Sequence, residues 1–139
     1  MSQENVEIVQ QALEAFERGG LDALLPFYDP EVTWEEAEDE PEAETHRGHD
    51  GLRALVDKWL VPFDDLRILP EEFIDAGEAV VMPYRFRARE RSSGTDITAP
   101  ETWVFWVRDG KICEVREYRR KAEALEALGL SEQDAHADS

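Results

Sequence analysis

From Ile68 to Tyr118 the apolar residues of this chain recur mainly at every second position, and that long alternating stretch constrains the fold more than any other feature. The alternation predicts strands over 68–75, interrupted by Pro70, then over 79–89, 98–108 and 111–118. Ala76-Gly77-Glu78 and Ser92-Ser93-Gly94-Thr95 supply turns between them. Asp109-Gly110 is the strongest hairpin signal, because this pair accepts the left-handed backbone of a two-residue turn and so sends the last strand back antiparallel.

Ahead of this stretch the spacing is helical. Val6, Val9, Leu13 and Phe16 share one face of a first helix that Gly19-Gly20 stops, and a short second helix at 21–25 runs into Pro26. Val32-Thr33-Trp34-Glu35-Glu36 reads as a short strand with Val32, Trp34 and Glu36 on one face. Acids, alanines and prolines from Ala37 to Thr45 mark an exposed loop. A helix then opens at Gly48-His49-Asp50, carries Leu52, Leu55, Val56, Trp59 and Leu60 as its apolar stripe, and ends at Pro62. Ala122, Leu125 and Leu128 form a last short helix capped by Gly129.

This order is α+β and not the alternating βαβ of a parallel sheet. A long antiparallel sheet twists and curls, and wrapped around helices it leaves a conical pocket with an open end. With 139 residues the chain suits one core, expected over 1–130, followed by a flexible acidic tail at 131–139. Asp and Glu number 33 against 15 Lys and Arg, a net charge of -18, which repels phosphate backbones and anionic lipid headgroups. Nucleic acid and membrane are therefore not expected as partners. The single Cys113, the lack of a run of about 20 apolar residues, and an N-terminus without a basic and apolar leader pattern lead us to expect a cytoplasmic protein.

Several segments resemble one known family in order and spacing. They are Asn5-Val6-Glu7-Ile8-Val9, Gly19-Gly20-Leu21-Asp22-Ala23-Leu24-Leu25, Asp29-Pro30-Glu31-Val32-Thr33-Trp34-Glu35-Glu36, Arg47-Gly48-His49-Asp50-Gly51-Leu52-Arg53, Glu72-Phe73-Ile74-Asp75-Ala76-Gly77 and Val107-Arg108-Asp109-Gly110-Lys111-Ile112. Together they resemble the SnoaL-like branch of the nuclear-transport-factor-2-like (NTF2-like) superfamily, which has the ketosteroid isomerase-like fold. The resemblance implies a cone that in different members serves isomerases, polyketide cyclases, epoxide hydrolases, dehydratases and proteins without assigned chemistry. It also implies a homodimer formed through the outer face of the sheet. Since one fold hosts many reactions, function has to be argued from the site.

The resemblance places a catalytic acid at Glu36, where Trp34-Glu35-Glu36-Ala37 stands in for the Trp-Glu-Asp-Pro of isomerases and cyclases. A carboxylate in an apolar pocket has its pKa raised by desolvation, which would suit Glu36 to move a proton on a hydrophobic carbonyl-type ligand. The oxyanion donors of the isomerases fall at Ala12 and Trp103, so one is missing and an indole N–H replaces the other. Tyr84 is expected to point inward and to help, with Tyr28 and Tyr118 as further donors. Phe16, Trp34, Trp59, Phe86 and Phe105 are expected to line the cone and to favour a flat hydrophobic ligand. The odd step between Trp103 and Trp106 puts them on opposite faces of their strand.

Arg85, Arg87 and Arg89 alternate with the apolar face of theirs and are more simply solvated than an anion site. His46 and His49 lack metal-site spacing, so neither metal nor cofactor is expected. Two rival readings remain. One is a non-catalytic ligand-binding or dimerisation module; the other is epoxide hydrolysis by Glu101 with an arginine from the neighbouring strand.

Overall fold

The structure, a computed structural model, describes residues 2–37 and 43–131, so the tail at 132–139 and the middle of the acidic loop lie outside the described residues. Helix α1 (Ser2–Leu24) is broken at Gly20, whose φ of 69° and ψ of -154° divide it where the glycine pair predicted a stop. A 3₁₀ turn over Leu25–Phe27 takes Pro26 in its first turn and leads into strand β1 (Tyr28–Glu35). There follow β2 (Thr45–Arg47), helix α2 (Gly48–Leu60), β3 (Phe63–Pro70), β4 (Ile74–Ala76), β5 (Ala79–Glu90), β6 (Asp96–Arg108), β7 (Lys111–Tyr118) and helix α3 (Lys121–Ala127). At three residues, β2 is too short to show a period of its own, and sequence reasoning missed it.

The seven strands form one open, curved sheet in the order β2-β1-β7-β6-β5-β3, with β4 also paired to β5. Every pair is antiparallel except β1 with β7, which run parallel. No short turn joins those two strands, so no hairpin sets their direction. The hairpin between β6 and β7 has positive φ at both Asp109 (52°) and Gly110 (77°), as a two-residue turn of this kind requires.

The two faces of the sheet are buried differently. On the inner face Val80, Met82 and Tyr84 of β5, Trp103, Phe105 and Val107 of β6, and Ile112 and Val115 of β7 pack against Val6, Val9 and Ala12 of α1 and Leu52 and Leu55 of α2. On the outer face Ile74, Val81 and Val104 pack against Ala124 and Leu125 of α3. Trp103 joins the inner cluster and Trp106 the outer one, where the Arg116 guanidinium lies 5.4 Å from the Trp106 ring centre. Both faces of the first half of β5 are therefore buried, while Arg85, Arg87 and Arg89 lie exposed in its second half.

Leu125 is 1% exposed, so truncating it empties a methylene-lined hole that α3 cannot close. Leu125→Ala is expected to lower unfolding free energy by about 2–4 kcal/mol, read from the urea midpoint, with near-native far-UV circular dichroism below the transition.

Candidate functional site

The inner cluster does not fill the cone. A cavity of about 340 Å3 remains between α2 and the sheet, within the usual range for small-molecule pockets. It is lined by Glu36, Lys58, Glu101 and Glu117 together with the aromatic residues Trp59, Phe63, Tyr84, Phe86 and Trp103. Trp103 is the hub of the aromatic wall. Its ring centre lies 4.8 Å from Trp34, 5.5 Å from Trp59 and 4.5 Å from Tyr84. Its indole Nε1 is buried with no hydrogen-bond partner among the described residues.

Glu36 follows β1 and does turn inward: its side chain is 8% exposed. It is not, however, an isolated carboxylate. His46 Nε2 donates to Oε2 at 2.7 Å, and Lys58 Nζ reaches both oxygens at 2.9 Å. Burial alone would raise the carboxyl pKa, but the hydrogen bonds from His46 and Lys58, together with their charges, outweigh it and hold Glu36 below its ordinary value. The expected upward shift is thus reversed, because a carboxylate held by two donors gains more from staying ionised than burial takes away. The strand–helix join supplies those donors. His46 sits on β2 beside Trp34, and a Cβ on Gly51 would come within 2.9 Å of the His46 backbone carbon, so only a glycine there lets α2 pack this close.

Glu117, which sequence reasoning did not single out, behaves in the opposite way. Its pKa is raised to about 7, first by burial and then by the charges of Glu101 and Glu36. Against this, Trp34 Nε1 donates to Glu117 Oε2 at 2.7 Å, and the Ala37 backbone contributes a second hydrogen bond. Two effects set Glu36 and Glu117 apart: Lys58 grips the first, while the second has only neutral donors. Glu101 stands opposite Tyr84 across β5 and β6, with the Tyr84 hydroxyl donating to it at 3.4 Å. Burial, followed by the charges of Glu101 and Glu117, carries the Tyr84 phenol well above its ordinary value, so it stays protonated as a donor.

A β-bulge explains why Glu117 was missed and Tyr118 chosen. Trp106 pairs with Glu114 and Val107 with Ile112, so Cys113 is an extra residue in β7. Uninterrupted alternation from Ile112 would turn Tyr118 inward. The inserted residue shifts the parity, so that Val115 and Glu117 face the cone and Tyr118 packs with the outer cluster. The odd step between two apolar residues, Ile112 and Val115, was the available signal.

The remaining expected residues divide between cavity and core. Trp59, Tyr84, Phe86, Glu101 and Trp103 line the cavity. Trp34 is 2% exposed beneath it and reaches it through Glu117, and Phe105 is fully buried against Trp34 and Trp103. Phe16 borders a wider groove of about 900 Å3 between α1 and β3. The cation among the described residues that line the cavity is Lys58 and not an arginine. His46 and His49 go to different partners, Glu36 and the Tyr28 carbonyl, and no three potential metal-ligating side chains converge among the described residues.

Three helices and a curved seven-stranded sheet, hollow at the end of its first strand, define an NTF2-like cone. The chain belongs to the SnoaL-like domain family, whose pattern matches residues 9–115. An NTF2-like protein from Burkholderia xenovorans is 31% identical and superposes with a TM-score of 0.71 over 85% of this chain and 90% of its own. A second NTF2-like protein, from Burkholderia pseudomallei, is 24% identical with a TM-score of 0.74 over 90% and 97%. A protein from Mesorhizobium loti described as a SnoaL-like polyketide cyclase is 23% identical, with a TM-score of 0.65 over 81% and 96%. No curated protein sequence matches the chain. Among the described residues no helix is long and apolar enough to cross a membrane.

The raised Glu117 carboxyl makes stability depend on pH. Glu117 holds its proton up to about 7 in the folded chain and only to its ordinary 4.5 when unfolded. The folded state therefore binds more protons between those values, and stability falls as pH rises through that window. Relative to Glu117→Gln, the wild-type protein is expected to lose about 3 kcal/mol between pH 4.5 and 7. Urea unfolding of both proteins across that range measures the difference.

Proposed function

We propose that this chain is a cofactor-free acid–base enzyme in which Glu117 carries a proton between two carbons of a small carbonyl-bearing ligand. The observation that carries this reading is Glu117 itself: a carboxylate on the cavity wall whose pKa of about 7 matches the range in which a general base works best. Glu117 removes a proton next to the carbonyl, the electrons move onto oxygen as an enolate, and the same carboxyl returns the proton to a different carbon. The enolate oxygen needs a donor, and the buried Trp103 N–H without an acceptor supports that role, with the protonated Tyr84 hydroxyl nearby. The aromatic wall supports a flat ligand.

Glu36 then has a different part from the one its sequence suggests. Kept ionised by Lys58 and His46, it is a poor proton carrier but a fixed negative charge that helps to raise Glu117. This division follows the general pattern in which two carboxyls in one site are driven to different pKa values by their surroundings.

Isomerisation of a β,γ-unsaturated ketone, or turnover of a fluorogenic enol ester, tests the proposal. Wild-type kcat/KM is expected to rise with pH through about 7 and then level off, as the base loses its proton. Glu117→Gln is expected to reduce it by at least about 100-fold. Equal rates for the two proteins, each folded by circular dichroism, would remove Glu117 from the reaction and leave a ligand-binding module.

A further inference from the structure

We propose that the edge of β3 facing away from β5 takes up an extended segment of a partner protein as an added strand, a segment in which acidic residues alternate with apolar ones. Such a contact goes beyond the cavity chemistry and does not depend on it. The sheet order leaves β3 at one end, with β5 as its neighbour among the described residues. Glu71 N–H donates to the Pro83 carbonyl at 2.9 Å, continuing the ladder in which Leu69 faces Arg85 and Arg67 faces Arg87. In an antiparallel pair, hydrogen-bonded residues alternate with non-hydrogen-bonded ones. Glu71, Leu69 and Arg67 therefore turn their backbone groups toward β5, while Ile68 turns its N–H and C=O outward, with the Pro70 carbonyl beyond it. An edge of that kind is a template for one more strand.

What lies on either side of the edge decides what that strand must carry. The groove of about 900 Å3 between α1 and β3 is bordered by the consecutive residues Asp65, Leu66, Arg67 and Ile68. Successive residues of a strand point to opposite faces, so a groove touching all four opens onto the edge itself. On its inner side Leu13 and Phe16 of α1, Ile68, and Phe73 after β3 form an apolar bed for alternate side chains of an added strand. Glu14 and Glu17 stand on the α1 rim with Arg18, so acidic side chains gain little there. On the outer face the added strand would run beside Arg67. There Arg67 stands directly opposite Arg87 on β5, a pairing of like charges that costs stability, and Arg85 follows two residues along. All three are exposed, and none forms an ion pair or hydrogen bond among the described residues. The sequence pattern leaves the β5 arginines simply solvated; the pairing with β3 adds a further guanidinium and concentrates the charge.

Charge selects the occupant. The chain's net charge of -18 repels an acidic segment at long range, but physiological salt screens charges beyond about 8 Å, so the neighbouring guanidiniums decide the contact. An added strand lies about 4.8 Å from β3 and twice that from β5, within reach of the arginine side chains on both. Acidic residues on its outer face relieve the repulsion between Arg67 and Arg87, which a basic or neutral segment leaves in place. A second copy pairing through its own β3 in one continuous sheet would bring a second set of Arg67, Arg85 and Arg87 to the same face, gathering like charges instead of balancing them.

Three capped hexapeptides separate the cases: valine alternating with glutamate, valine alternating with lysine, and a block of valines followed by a block of glutamates. Binding to the intact chain is read from backbone amide signals in NMR spectra, and amide hydrogen exchange reports which N–H becomes protected. The alternating glutamate peptide is expected to bind at least about fivefold more tightly than either of the others and to slow exchange of the Ile68 amide. Arg67→Glu, a change at an exposed position, is expected to turn the preference toward the lysine peptide, and Arg87→Glu to weaken the glutamate peptide as well. The block peptide binding as tightly as the alternating one, or Ile68 exchanging at an unchanged rate in the complex, would overturn the proposal. So would an Ile68 amide that becomes protected without peptide as the protein is concentrated, which would assign the edge to a second copy of the chain.

Discussion

The hydrogen bond from the Trp34 indole to Glu117, 2.7 Å long, joins residues 83 positions apart and ties the first strand of the sheet to the last. Both partners lie where water is scarce, so the bond fixes geometry as well as contributing energy. At one end it holds the carboxyl that borders the cavity. At the other it holds the ring against which Trp59 and Trp103 pack, with centres 5.5 and 4.8 Å away. The acid and the aromatic wall are consequently one unit, and the parallel pairing of β1 with β7 is what brings its halves together.

That unit also explains why two neighbouring glutamates titrate in opposite directions. Neutral donors stabilise a carboxylate less than a cation does, and Trp34 with the Ala37 backbone does not offset the burial of Glu117 and the charges of Glu101 and Glu36. Glu36 is buried too, but an ammonium and an imidazole reverse the balance. The outcome is a charged residue beside one poised near neutrality. Neither property belongs to the residue type; each comes from what α2 and β2 deliver to one strand end and not to the next.

Much of the fold could be read from periodicity because most of its elements are half-buried. The alternation from β5 to β7, the turn at Asp109-Gly110, the glycine break in α1 and the opposite facing of Trp103 and Trp106 all follow from local rules. Parts of the site depended on interruptions of those rules. An added Cys113 reverses the parity of β7, turning Glu117 in and Tyr118 out, and a three-residue β2 puts His46 on Glu36. Lys58 carries no local signal of its role, because nothing in its own neighbourhood reveals a carboxylate 22 positions earlier. The inward direction of Glu36 was legible, whereas its ionisation depends on contacts that only the folded chain makes.

The account stands on Glu117 holding its proton to near neutral pH. Selective ¹³C labelling of glutamate carboxyls, with the Glu117 signal assigned by its loss in Glu117→Gln, allows its titration to be followed in the folded protein. A midpoint near 7 is predicted, and a midpoint near the ordinary 4.5 would contradict the account, since the carboxyl would then be as solvated as any on the surface.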